Sequence, residues 1–350
     1  MKRFIAIAFA VILSLPSLST AQQATPTAEV VRAANAFLAT LSAEQRQKVI
    51  YAFDDAAQRA RWSNLPTGAL SRGGISLVQM TLQQRAAAMK LLATVLSPMG
   101  LEKVNEIREA DEDFSVWNPD GHGVFGAEHY YISFLGKPST TEPWMLQFGG
   151  HHLGLNITIV GSKGVLTPTL TGVQPGTFKL NGKVIRPLGR ESDKAIALLK
   201  SLDADQRKIA VLKYQVPDLV LGPGQDGKKI VPEGLKASEM YPLQRAMLLD
   251  LISEWTGILN GPYAAARMAQ VKADLNETYF AWSGPQTGGA GTNITAYYRI
   301  QGPHLVIEYA PQSEIQPPPT DVFFSPRTAN HVHTIYRDPT DDYGSALLKP

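Results

Sequence analysis

The chain has 350 residues, a formal charge of +2 and no cysteine. The absence of thiols excludes disulfides, cysteine nucleophiles and thiolate metal sites, so any bound metal must be held by His, Asp, Glu or backbone oxygens. The near-neutral charge gives no electrostatic footprint for nucleic acid, and a hydrophobic content of 44% is enough for a packed core.

The chain opens Met1-Lys2-Arg3, followed by an almost wholly apolar run over residues 4–15 and then Ser17-Leu18-Ser19-Thr20-Ala21. A basic start, a short apolar stretch and small residues describe a secretory signal peptide, cleaved near Ala21. The apolar run is shorter than the roughly 20 residues of a transmembrane helix. The mature chain is therefore expected in the periplasm or outside the cell, with no segment that spans a bilayer.

Residues 27–55 have helical character, with Ala34, Phe37, Leu38 and Leu41 recurring at three and four. Ser42-Ala43-Glu44-Gln45 has the form of a capping box that opens a second helix. Arg61-Trp62-Ser63-Asn64 begins a loop, and helices are expected over 82–96 and 101–110. The same series then returns. Leu41-Ser42-Ala43-Glu44-Gln45-Arg46 is echoed by Leu202-Asp203-Ala204-Asp205-Gln206-Arg207, and Met80-Thr81-Leu82-Gln83-Gln84-Arg85 by Met240-Tyr241-Pro242-Leu243-Gln244-Arg245. The offset is 161 residues from Ser42 to Asp203 and 160 from Arg85 to Arg245. Two blocks sharing one offset indicate an internal repeat.

Strand-like segments follow in each half. Residues 114–117 match 279–282, residues 130–138 match 297–303, and residues 144–148 match 305–309. Gly150-His151-His152-Leu153 parallels His331-Val332-His333-Thr334. Helices first and strands second predict an α+β fold. It would be built as two pseudo-symmetric repeats, each of helices followed by antiparallel strands. The boundaries are a signal peptide at 1–21, a first repeat at 22–185 and a second at 186–350, the two packed as one unit.

The chemistry concentrates in the histidines. His331-Val332-His333-Thr334-Ile335-Tyr336 has the β-branched and aromatic content of a strand. Residues i and i+2 share a face, so His331 and His333 project together as two cis ligands would. Pro339 ends the strand, and Asp338, Asp341 and Asp342 fall in the following turn. Aligning the two halves sets His152 against His333. His151 and His152, if on a strand, face opposite ways, so at most one can share an ion. His129 can join from a neighbouring strand. Glu308, where the matching position is the neutral Gln147, needs compensation if buried; it is a candidate third ligand or general base. Arg337 can hold a carboxylate or phosphate with its bidentate fork. Neither Gly-x-Ser-x-Gly nor His-Glu-x-x-His occurs.

Arg61-Trp62, Gly149-Gly150-His151-His152-Leu153, Tyr297-Tyr298-Arg299-Ile300-Gln301-Gly302-Pro303 and the closing run from His331 to Asp338, with Asp342-Tyr343-Gly344, resemble the family catalogued as domain of unknown function 3500. The resemblance covers nearly the whole mature chain and implies an exported or cell-envelope bacterial protein. It carries no activity.

The residues therefore predict an exported metal-binding protein. Zinc is the expected ion, with copper or nickel also compatible with imidazole and carboxylate donors. Metal-dependent hydrolysis of a small-molecule substrate is the activity such a site would support, with Glu308 and Arg337 as catalytic residues. The alternative is a non-catalytic periplasmic protein that binds a metal or small ligand. One distance decides whether there is a shared site: imidazoles more than about 10 Å apart cannot hold one ion through Zn–N bonds of about 2 Å.

Overall fold

Thr25 caps the first helix, α1 (Pro26–Ala39), by accepting from the Ala28 amide, and Pro26 occupies the first turn, where a missing N–H costs nothing. A computed structural model describes residues 25–117, 124–289, 291–313 and 330–348, so the expected cleavage site lies outside the described residues. The capping box at Ser42 forms as read: the Ser42 hydroxyl accepts from the Gln45 amide and the Gln45 side chain accepts from the Ser42 amide, opening α2 (Ala43–Val49). The expected helix over 27–55 then ends early. Ile50–Tyr51 is a short strand parallel to residues 134–135, as its β-branched and aromatic content favours.

Three further helices complete the first half: α3 (Ala56–Arg59), α4 (Leu82–Val95) and α5 (Pro98–Trp117). The last corrects the sequence reading, because residues 114–117 are helical. Val104, Ile107, Ala110 and Phe114 are buried at spacings of three and four, and this helical register carries through the residues whose alternation suggested a strand. The strands of five or more residues that follow are β1 (Tyr131–Leu135), β2 (Trp144–Gly150), β3 (Leu153–Val160) and β4 (Thr169–Val173). The second half supplies α6 (Gly189–Ser201), α7 (Ala204–Ala210), α8 (Pro242–Thr256) and α9 (Gly261–Ala273). Its strands are β5 (Tyr279–Ser283), β6 (Tyr297–Gly302), β7 (Leu305–Pro311) and β8 (Val332–Arg337). The fold is α+β. None of the described helices is long and apolar enough to cross a membrane.

All eight strands join one sheet in the order β1-β2-β3-β4-β8-β7-β6-β5, with every neighbouring pair antiparallel and short strands added at its margins. The central pair, β4 with β8, joins the two halves of the chain. One face of the sheet is apolar and covered by helices. Ile132, Phe134, Leu146, Phe148 and Ile157 pack with residues of α1, α4 and α5; Ile300, Ile307, Tyr309 and Tyr336 pack with residues of α6 and α8. The two cores borrow across the halves, Leu259 and Tyr263 entering the first and Ala110 and Val173 the second.

The other face is largely polar. Ser133, Gln147 and Asn156 lie side by side across β1, β2 and β3, and Arg299 and Glu308 across β6 and β7. The short helix α3 and the loop at residues 220–221 cover it. Gln58 donates to the Ser133 hydroxyl and the Gln147 carbonyl at 3.2 and 2.9 Å. The amides of Val220 and Leu221 meet Glu308 on the other side. Burying amides and a carboxylate is tolerable because each finds such partners.

One ionic group ties the halves on the helical side. Lys103 of α5, 1% exposed, pairs with Glu191 of α6 and donates to the Glu254 carbonyl of α8 at 2.9 Å. Replacing Lys103 by Met should strand Glu191 in the interior and cost about 3–5 kcal/mol of unfolding free energy in urea titration. The double change Lys103→Met/Glu191→Leu should recover most of that loss. Equal losses in the single and double variants would show that the pair is not what holds this contact.

Candidate metal centre

The strand at the end of the chain forms as expected, over Val332–Arg337, and Pro339 lies beyond it. His331 and His333 project on the same, loop-covered face, with their Nε2 atoms 3.1 Å apart and rings nearly perpendicular at 88°. Opposite His333 on β4 stands Gly172. A Cβ there would sit 2.9 Å from His333 Cδ2 and 3.2 Å from His152 Cδ2, so the glycine makes room for both rings.

His152 arrives by another route. Gly150 and Leu153 are paired across β2 and β3, so His151 and His152 form a two-residue hairpin turn rather than part of a strand. His152 adopts φ 60°, a left-handed conformation that His visits more readily than most side chains. The turn is fixed at both ends: the His152 carbonyl accepts from the Gly172 amide at 2.7 Å, and the Gly150 carbonyl accepts from Arg72 at 3.0 Å. This aims His152 Nε2 to within 3.0 Å of His331 Nε2. One donor nitrogen from each of the three rings lies within 4.8 Å of the others, and all three residues are buried. They form a group that could hold a metal ion.

The expectation that His151 and His152 point to opposite sides fails, because a turn does not alternate as a strand does. The two rings stack with centroids 3.6 Å apart. His151 is still directed away from the cluster: its Nδ1 donates to the buried Asp111 carboxylate of α5 at 2.6 Å. Asp111 also accepts from the Gly126 amide.

Burial dominates the electrostatics. Loss of water pushes His331 down to about 4, despite its hydrogen bond to the Ser313 carbonyl. His152 and His333 are held well below the ordinary 6.5, first by burial and then by the neighbouring imidazoles. All three are neutral near pH 7. The Ser313 carbonyl, 2.8 Å from His331 Nδ1, can only accept, which assigns the proton to Nδ1 and leaves Nε2 unprotonated, its lone pair toward the other two rings. His333 Nδ1 faces the Asn64 amide at 3.3 Å.

The remaining candidates stand apart. Glu308 lies on the same face, but its carboxylate is captured by the loop above: it accepts from the amides of Val220 and Leu221 at 2.9 and 2.8 Å and from the Tyr297 hydroxyl at 2.6 Å. Burial raises its pKa, and these donors oppose the rise. Arg337 has no fork to offer a substrate. Its guanidinium donates to the carbonyls of Leu221 and Gly222 and to Asp226 and Asp342, and it stacks over Trp62. His129 lies beside Gly126 and Glu112, outside the group. Asp338, read as part of the turn after the strand, is buried and paired with Arg267. A cavity of about 200 Å³ lined by Leu166, Tyr263, Arg267, Tyr336 and Asp341 lies toward the other end of β8, away from the histidines.

Sequence reasoning missed the supports of the cluster. Arg72, buried, donates to the carbonyls of Ser63, Leu65 and Gly150 and so fixes the Asn64 loop to the histidine turn. Loss of water on burial lowers its pKa to about 10. Asp111 and Gly172 were equally silent, since each depends on a partner far away in the chain.

The chain belongs to the family described as protein of unknown function DUF3500, whose model matches residues 23–345. No curated protein and no solved structure matches it.

The depressed histidines make a signed prediction. At His331 the unfolded chain takes up a proton near pH 6.5 and the folded chain only near 4, so the stabilisation is complete above pH 6.5 and is lost as pH falls toward 4; His152 and His333, also lowered, act in the same sense. His331 alone contributes up to about 3 kcal/mol over this window. Buried carboxyls such as Asp342, raised to about 6, and Glu308, also raised, act in the opposite sense, so the His331 contribution is read as the difference between the wild type and a His331 variant. Urea titrations between pH 7.5 and 4.5, in chelator, should show the wild type losing more stability than His331→Gln. Parallel profiles would refute this.

Proposed function

We propose, for this member of the DUF3500 family, that the protein binds a divalent transition-metal ion through His152, His331 and His333. The observation that carries the reading is the convergence of three neutral imidazoles on Nε2 contacts of 3.0 and 3.1 Å. A tetrahedral zinc site with Zn–N bonds of about 2.0–2.1 Å separates its ligand nitrogens by about 3.3 Å. The cluster reaches that spacing with side-chain shifts of about an ångström. Imidazole donors without thiolates or a carboxylate favour zinc, are compatible with copper or nickel, and suit the oxygen-seeking magnesium and calcium poorly.

Two features favour hydrolysis as a second reading. Three protein ligands leave a fourth position of a tetrahedral ion for another group, and the His151–Asp111 pair is stacked directly on His152. A zinc ion so held supplies Lewis acidity toward a small-molecule substrate. Without such a substrate, the same site serves a non-catalytic carrier or buffer of metal.

The proposal includes export, with the segment ending near Ala21 as a removable leader and the mature protein periplasmic or secreted. It also includes the twofold repeat, 22–185 and 186–350. Supporting this, Gln45 and Gln84 exchange hydrogen bonds between capping boxes, as do Gln206 and Gln244. Likewise, Ile75 pairs with Ile132 and Leu235 with Phe280, each at a sheet margin. This matching sets β1 against β5, rather than residues 130–138 against 297–303.

Untagged protein should carry about one zinc per chain by elemental analysis, and His331→Ala/His333→Ala none. Equal, substoichiometric metal in both would end the proposal. Zinc added to apo-protein at 100 times its dissociation constant should stabilise the fold by about 2.7 kcal/mol and leave the variant unchanged in thermal melts. Hydrolysis, if present, should vanish with chelator and return with zinc; a rate indifferent to both would leave only the binding role.

A further inference from the structure

We infer that Asn64 sets the tautomer of His333, and so decides whether the cluster can take an ion; this deepens the metal reading above and rests on it. A neutral imidazole offers its Nε2 lone pair to a metal only when its proton is on Nδ1, and a buried Nδ1–H needs an acceptor. The neighbouring ring has a fixed solution, since His331 Nδ1 faces the Ser313 carbonyl, which can only accept. His333 Nδ1 faces an amide, which has one donating and one accepting end.

The two orientations of that amide give two different clusters. With Asn64 Nδ2 toward the ring, at 3.3 Å, His333 Nδ1 accepts and the proton moves to Nε2. Nε2–H then points at His331 Nε2, 3.1 Å away, and the lone pair needed for an ion is spent in a hydrogen bond. With Asn64 Oδ1 toward the ring, Nδ1–H donates and Nε2 is free. The backbone favours an exchange confined to the side chain: Arg72 holds the carbonyls of Ser63 and Leu65, on either side of Asn64. The far end of the amide is only loosely engaged, with the Ser63 hydroxyl 3.5 Å from Oδ1. Asn64 is thus a positioning residue that touches no ion itself.

The test uses imidazole ¹⁵N chemical shifts and zinc affinity together, on the full chain. In wild-type apo-protein His333 should be protonated on Nε2, and zinc should move that proton to Nδ1. Asn64→Asp, able only to accept, should show Nδ1–H before zinc is added and bind zinc about 10-fold more tightly. Asn64→Leu should retain Nε2–H and bind about 10- to 100-fold more weakly, the usual effect of losing a group that orients a ligand. Identical His333 shifts in the two variants, or equal affinities in all three proteins, would overturn the inference. The wild-type zinc titration gives the tautomer without any substitution, and a wild type that binds no zinc defeats the metal reading itself.

Discussion

The antiparallel pairing of Thr169–Val173 with Val332–Arg337 is the contact on which the rest depends. It makes one sheet from two halves of the chain and lies at the sheet's centre. At one end of this pair Gly172 sits across from His333, and the Gly172 amide also grips the carbonyl of His152. The histidine cluster is therefore a product of strand register. Slipping the pair by one residue would turn His333 to the helical face and set a side chain where both imidazoles need space.

Enclosing three imidazoles serves them in one respect and constrains them in another. Removed from water they stay neutral, and neutral nitrogen is the form that ligates. No carboxylate among the three offsets the charge of a dication, however, and the buried guanidinium of Arg72 bonds to the carbonyl next to the histidine turn. Such surroundings suit an ion that brings or recruits its own anion.

Much of this was legible in the sequence where the signal is local. The capping box at Ser42, the closing strand and the shared face of His331 and His333 all follow from short-range rules, and all formed; the segment that echoes the first, at Asp203, carries the same box. Errors arose where two periods fit the same letters. Residues 114–117 alternate as a strand would but continue a helical stripe from Val104. Whether His151 and His152 lie on a strand or in a turn is not legible in the sequence, because hairpin register is invisible without knowing which strands pair. Glu308 reads in sequence as a ligand or base needing compensation and Arg337 as a fork for a substrate; the fold instead occupies both with backbone atoms of residues 220–222, together with Tyr297, Asp226 and Asp342, and the backbone partners leave no side-chain pattern to read. Arg72 and Asp111 act across the fold, so nothing near them in the chain announces their roles.

The separation of the ligands along the chain carries a mechanical meaning. His152 and His331 are 179 residues apart. An ion bridging them would close a ring comprising half the polypeptide, and in the chain-entropy picture a cross-link of that span removes about 5 kcal/mol of freedom from the unfolded state. In a chain with no cysteine, coordination would do what a disulfide does elsewhere: tether distant segments, and release them when the clasp is stripped away.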